Sequence, residues 1–61
     1  MSKETLHHLI ALEQTSLNSM KELLDTRGRE GGPIERLLGF IEASQIALHN
    51  LYDKLAELEG R

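Results

Sequence analysis

The sequence predicts an all-α protein, an antiparallel two-helix hairpin that dimerises into a four-helix bundle. Two proline-free segments of about 25 residues carry apolar residues at alternating steps of three and four, the spacing of amphipathic helices. A single cluster of helix-ending residues, "RGREGGP" at positions 27–33, separates them. Because so short a connection makes neighbouring helices antiparallel, the chain of 61 residues is expected to be a single hairpin domain.

The first helix is expected over residues 3–27. Ser2 can accept a hydrogen bond from a free N–H group of the first turn, and Glu4 places a negative charge at the positive end of the helix dipole. Gly28 is expected to end the helix, because glycine adopts the left-handed conformation at little cost. Residues 28–32 then form the turn.

The second helix is expected over residues 33–59. Pro33 suits the first helical position, where its missing N–H group is not needed. Glu35 follows in the first turn, where its charge meets the helix dipole favourably, and Gly60 can end the helix.

The apolar residues of each helix predict the core. On the second helix they follow a coiled-coil seam, widened by Leu38, Tyr52 and Ala56 on one flank and by Phe40 and Ala47 on the other. On the first helix the seam is widened by Leu9, Leu12 and Leu23. Each apolar arc spans roughly 160–180°, which is more than one neighbouring helix covers. The expected core of the dimer comprises Leu6, Ile10, Leu17, Met20, Leu24, Ile34, Leu37, Ile41, Leu48, Leu51 and Leu55.

Self-association is the favoured way to cover these wide arcs. A domain this small buries only about 60% of its unfolded surface, and such domains usually add disulfides, a metal or a partner chain. The sequence has no cysteine, so disulfides and thiolate metal sites are excluded. We therefore expect a homodimer; the alternative is a monomer that docks its open face on another protein.

Glu13 interrupts the apolar seam of the first helix. In a hairpin that turns near residue 30, facing residues have numbers that add up to about 61, so Glu13 lies across from Leu48. Two readings stay open: the carboxylate reaches the rim and only its stem is buried, or it joins a central polar layer that sets register and oligomeric state. That layer would consist of Glu13, Ser16, Ser44 and Gln45.

Composition and motifs argue against several functions. The net charge of −3, with acidic and basic residues mixed, disfavours nucleic acid as a partner. Glu4 and His7 have the E-x-x-H spacing of di-iron bundles but point away from the apolar arc, and the turn lacks the lysine of a phosphate-binding loop. No nucleophile stands beside a base. We therefore expect no enzymatic activity, no metal, no cofactor and no small-molecule substrate.

The lack of long apolar runs and the outer face of the second helix predict the location and the partner-binding surface. No apolar run approaches the roughly 20 residues that span a bilayer, and the N-terminus lacks a long apolar stretch, so a cytoplasmic protein without a membrane partner is expected. The outer face of the second helix combines small residues with an exposed isoleucine. This candidate partner-binding face consists of Gly39, Glu42, Ala43, Ile46 and Asn50.

The function expected from these features is that of a small homodimer that binds a larger protein and regulates or inhibits it. The layout also resembles the Rop-like regulators, dimers of short helical hairpins that bind RNA, although no shared motif supports the resemblance. It implies RNA or DNA binding as an alternative. A structural coiled-coil adaptor is a third possibility.

Overall fold

The computed structural model describes residues 2–60 and contains two helices, α1 (Lys3–Glu30) and α2 (Glu35–Glu59). The predicted all-α hairpin is confirmed. The helices run antiparallel, because Lys3 at the start of α1 lies 3.6 Å from Glu59 at the end of α2, measured from Nζ to Oε2. The Cα atoms extend over 48 × 15 × 14 Å, so the hairpin is an elongated rod. Within residues 2–60, no helix is long and apolar enough to cross a membrane.

The N-terminus of α1 is capped as expected. The Thr5 backbone N–H donates to Ser2 Oγ over 3.1 Å, and Ser2 Oγ lies 2.9 Å from Thr5 Oγ1. Glu4 occupies the first turn, where its negative charge interacts favourably with the positive end of the helix dipole. The cap therefore satisfies one of the N–H groups that have no partner inside the helix.

The C-terminus of α1 lies three residues beyond the predicted end. Gly28 stays helical, and Gly31 takes the left-handed conformation instead, with φ of 75° and ψ of 17°. The N–H of Gly32 donates to the Arg27 carbonyl over 3.1 Å, and the N–H of Gly31 donates to the Gly28 carbonyl over 3.4 Å. This pair of bonds is the Schellman arrangement. An ion pair between Asp25 and Arg29, one turn apart, supports the added turn.

The start of α2 also differs from the prediction. Pro33 lies in the connection, Ile34 precedes the helix, and Glu35 is the first helical residue. Because α1 ends late, the chain uses Gly32 and Pro33 to cross to the second helix. The Ile34 side chain has no polar atom that could cap α2. Ile34 is partly buried, so its packing positions the N-terminus of α2. Gly60 ends α2 as predicted, its N–H donating to the Ala56 carbonyl.

The core lies along the seam between the two helices. All eleven residues expected in the core are buried or partly buried in the single hairpin, so the predicted seam is the one that joins α1 to α2. Leu6 is the most buried of them at 1% exposure. The buried apolar side chains of the seam are Leu6, Ile10, Leu17, Leu37, Ile41, Leu48 and Leu55.

Candidate functional site

The two long sides of the hairpin differ in character. Residues seven apart lie on the same side of a helix in coiled-coil packing, and antiparallel helices bring corresponding flanks together. Leu9, Ser16 and Leu23 of α1 therefore share one side with Phe40 and Ala47 of α2, and Leu12 lines a groove on that side with Leu9 and Ala47. We call this side the open face and define it by these six residues.

The open face carries a groove near the chain termini. Leu9 and Leu12 line it from α1, and Ala47 and Leu51 line it from α2, around a volume of about 510 Å³. Leu12 is 55% exposed, so the hairpin itself leaves much of this apolar surface in water. The remaining lining residues are polar: Glu13, Asn50 and Lys54.

A second groove lies on the same face near the turn. Met20 and Leu23 line it from α1, and Leu37 and Phe40 line it from α2, around about 340 Å³. Phe40 is 62% exposed, the most exposed of the large apolar side chains in the described chain. Arg27 and Arg36 complete the lining, so the turn end of the open face is basic at its edge. We call these two the terminal groove and the turn groove.

The opposite flank is more polar. Leu38 and Tyr52 of α2 are exposed there, but residues seven apart on α1 place His7, Gln14 and Lys21 beside them. The groove on this side is lined by Leu24, Ile34 and Leu38 together with four residues of the last turns of α1: Lys21, Asp25, Gly28 and Arg29. Three exposed large apolar side chains, Leu12, Leu23 and Phe40, thus lie on the open face, against Leu38 and Tyr52 on the opposite flank.

The structure separates the four residues expected in a polar layer. Ser44 is buried in the seam at 9% exposure, and Glu13 is partly buried in the lining of the terminal groove. Ser16 and Gln45 are both exposed. Gln45 shares a flank with Leu38 and Tyr52, opposite the open face, because one residue past Ser44 turns the helix by about 100°. Ser16 and Gln45 therefore lie on opposite flanks of the single hairpin.

The outer face of α2 is accessible as expected. Gly39, Glu42, Ala43, Ile46 and Asn50 are all exposed, with Ile46 at 57%. A Cβ atom at Gly39 would meet nothing within 4 Å, so no contact inside the chain requires glycine there. Asn50 also lines the terminal groove, so this residue stands between the outer face and the open face.

Three ion pairs occur in the described part of the chain, Lys3–Glu59, Asp25–Arg29 and His49–Asp53. His49 Nε2 lies 3.4 Å from Asp53 Oδ2, one turn along α2, as the spacing predicts. Within residues 2–60, no three His, Asp or Glu side chains come together as metal ligands. Glu4 and His7 are both exposed on α1.

The flanking residues were expected at the edges of the seam, not as one surface. The available signal was the heptad spacing, because Leu9, Ser16 and Leu23 recur every seven residues on α1, as Phe40 and Ala47 do on α2. The sum of two residue numbers gives only their level along the rod, since Leu23 and Leu38 add up to 61 and yet lie on opposite flanks. The groove that Leu23 shares with Phe40 shows which flanks stand side by side.

Comparisons with known proteins add no relative. No protein-family model matches the chain, and searches of curated proteins and of solved structures find no significant match.

Proposed function

We propose that this protein is a non-enzymatic homodimer, a four-helix bundle that binds a larger protein and regulates or inhibits it in the cytoplasm. The observation that carries the proposal is the open face. Leu12, Leu23 and Phe40 expose 55, 43 and 62% of their surface on a single side of the hairpin. An apolar surface that runs along the whole rod is typical of an interaction site.

The dimensions of the hairpin support self-association. Its accessible surface is 4707 Å², whereas a compact monomer of 6.9 kDa has about 4,000 Å². A face about 48 Å long and 15 Å wide offers roughly 700 Å² per copy, close to the ~800 Å² per partner buried in stable complexes. Covering the open face with a second hairpin gives each helix two neighbours, as its wide apolar arc requires.

The larger protein is assigned to the outer face of α2, because Gly39 and Ile46 are exposed away from the seam, whereas Ala43 and Asn50 stand at the border with the open face. Gly39, Ala43 and Ile46 follow steps of four and three, so they form a second stripe along the helix. Gly39 lowers helix stability by about 1 kcal/mol relative to alanine, and no contact inside the chain explains it. The stripe fits a partner helix that approaches closely at Gly39 and offers an apolar pocket to Ile46. Glu42 at the edge favours a basic residue there.

Sedimentation equilibrium tests the dimer. We expect a mass of two chains at micromolar concentration. A folded single chain at those concentrations would contradict the proposal, because the open face would then be stable in water.

Affinity capture from the host extract, with matched variants, tests the partner. We expect wild type and Tyr52→Asp to retain the same protein, and Ile46→Asp to lose it. Tyr52 is the control because it is similarly exposed on α2 but lies on the opposite flank. Equal recovery with Ile46→Asp, or no specific protein with wild type, would contradict the assignment. Retention on an RNA column that falls steeply with salt would favour the Rop-like alternative instead.

A further inference from the structure

We propose that the second copy of this chain packs on the open face end for end, so that the terminal groove of each copy meets the turn groove of the other. The inference rests on the proposed dimer and specifies its arrangement. A symmetric pair of hairpins has two options. In the same-end arrangement, both turns lie at one end and α1 packs on α2 of the second copy. In the end-for-end arrangement, the turns lie at opposite ends and each helix packs on its own counterpart.

The apolar residues of α1 match in the end-for-end arrangement. Leu9 and Leu23 lie seven residues on either side of Ser16. If the symmetry axis passes beside Ser16, Leu9 of each copy meets Leu23 of the other. The same-end arrangement instead sets Leu9 level with Lys54 of the second copy, although Leu12 is then level with Leu51. Only the end-for-end arrangement pairs Leu9 with a leucine of the second copy.

The charges of the two ends differ as well. Arg27 and Arg36 make the turn groove basic, whereas the terminal groove carries Glu13 and Lys54, and Glu57 lies beside Lys54, Leu6 and Leu58. A same-end dimer gathers four arginines at one end. An end-for-end dimer with Ala47 at the axis sets Arg36 level with Glu57 of the second copy. Complementary charges of this kind select between otherwise similar orientations.

Lys54 also fits this arrangement. It lies seven residues from Ala47 on one side, and Phe40 lies seven residues away on the other. The end-for-end dimer therefore lays the Lys54 side chain on the exposed ring of Phe40 of the second copy. Its methylene groups can cover the ring, and the ammonium group is attracted to the ring face.

The middle of the open face allows the close approach that the axis demands. Ser16 and Ala47 lie halfway along the rod, and Ser19 and Ala43 are the next small residues on either helix. Helices that cross at an angle come closest at the crossing point, where small side chains let the backbones approach. Glu13, partly buried one turn before Ser16, then has serine hydroxyls of both copies within reach as hydrogen-bond donors.

The test is a spin-label distance from Gly32→Cys in the otherwise cysteine-free chain. Gly32 suits the label because its φ is not positive and an added Cβ would only make ordinary contact, 3.9 Å from the Arg27 carbonyl oxygen. In the end-for-end dimer the two labels lie at opposite ends, separated by about the 48 Å length of the rod. A single distance below about half of that length would overturn the arrangement, because same-end turns are neighbours across helices spaced about 10 Å apart.

Cysteine cross-linking provides an independent readout at the axis. In the end-for-end arrangement Ser16→Cys forms a disulfide with Ser16→Cys of the second copy. Ala47→Cys does the same with Ala47→Cys of the second copy. In the same-end arrangement neither variant cross-links alone, but a mixture of the two does. Sedimentation of the same samples distinguishes failure of the dimer from failure of its arrangement. A monomer would contradict the proposed dimer, whereas a dimer with a short label distance would contradict only the end-for-end arrangement.

Discussion

Leu23 of α1 and Phe40 of α2 line one groove at the turn end of the hairpin, yet 43% and 62% of their surfaces stay exposed. Neither side chain completes its packing within the single chain. At this level of the hairpin the seam is filled by Met20 and Leu37, which are more buried and line the same groove. The exposed parts of Leu23 and Phe40 therefore leave apolar surface in water at the turn end of the open face.

Phe40→Ser is expected to weaken dimerisation while leaving the hairpin fold in place. Burying a Phe side chain contributes about 1.5–3 kcal/mol, so the dimer dissociation constant should rise by a factor of ten or more. Sedimentation equilibrium measures this constant. Tyr52→Ser is the matched control, because Tyr52 is half exposed on the opposite flank, and its dimer constant should stay near that of wild type. An equal effect of both variants would place the interface elsewhere.

Leu17→Ala is expected to lower the free energy of unfolding by about 3 kcal/mol, since its side chain is 3% exposed in the seam. Leu58→Ala should cost distinctly less, because Leu58 is 49% exposed near the end of α2. Urea unfolding at a fixed protein concentration compares the two variants. Similar losses would mean that the seam does not carry the core as described.

Two glycine variants test where α1 ends. Gly28→Ala should raise the free energy of unfolding by up to about 1 kcal/mol, because the site is helical and a Cβ would meet nothing within 4 Å. Gly31→Ala should lower it by about 1–2 kcal/mol, because its φ of 75° is strained for any residue with a Cβ atom. Thermal unfolding followed by circular dichroism measures both. If Gly28→Ala lowered the stability and Gly31→Ala raised it, α1 would end at Gly28 instead.

Glu13→Leu is expected to raise the free energy of unfolding by about 1 kcal/mol. It should also allow the two copies of the dimer to adopt both the end-for-end and the same-end arrangement. Glu13 is partly buried and lines the terminal groove with Leu9, Leu12 and Leu51, where an apolar side chain packs better. Chemical unfolding measures the gain, and the Gly32→Cys label reports the arrangement, with a second, shorter distance expected. If the label distance stays single while stability rises, Glu13 does not set the orientation.

A charge reversal tests the contact between the two ends of the open face. Arg36→Glu and Glu57→Arg should each weaken the dimer about two- to five-fold, since exposed ion pairs contribute about 0.2–1 kcal/mol. The double variant, with both charges reversed, should recover most of the loss at low salt. Sedimentation measures all three. Absence of recovery in the double variant would show that Arg36 and Glu57 do not meet.

Much of the hairpin could be predicted from local signals. The alternating steps of three and four marked the seam, and every residue named for the core is at least partly buried. Ser2 and Gly60 were recognised as helix ends from their residue types alone. The helix ends at the turn were harder, because three nearby glycines could each have ended α1. The choice of Gly31 depends on a pair of hydrogen bonds with Gly32 and on Pro33 behind them.

The sequence by itself determined two amphipathic helices, their antiparallel pairing and the residues of the seam, because periodicity and chain length leave little choice in these. Only the tertiary structure decided which flanks stand side by side and how much of each stays in water. An apolar arc extends to both sides of its own seam, and a single helix does not show which side will meet the apolar flank of its neighbour. The antiparallel contact joined Leu23 to the side of Phe40 and separated Ser16 from Gln45. That asymmetry, a relation between two helices, creates the open face.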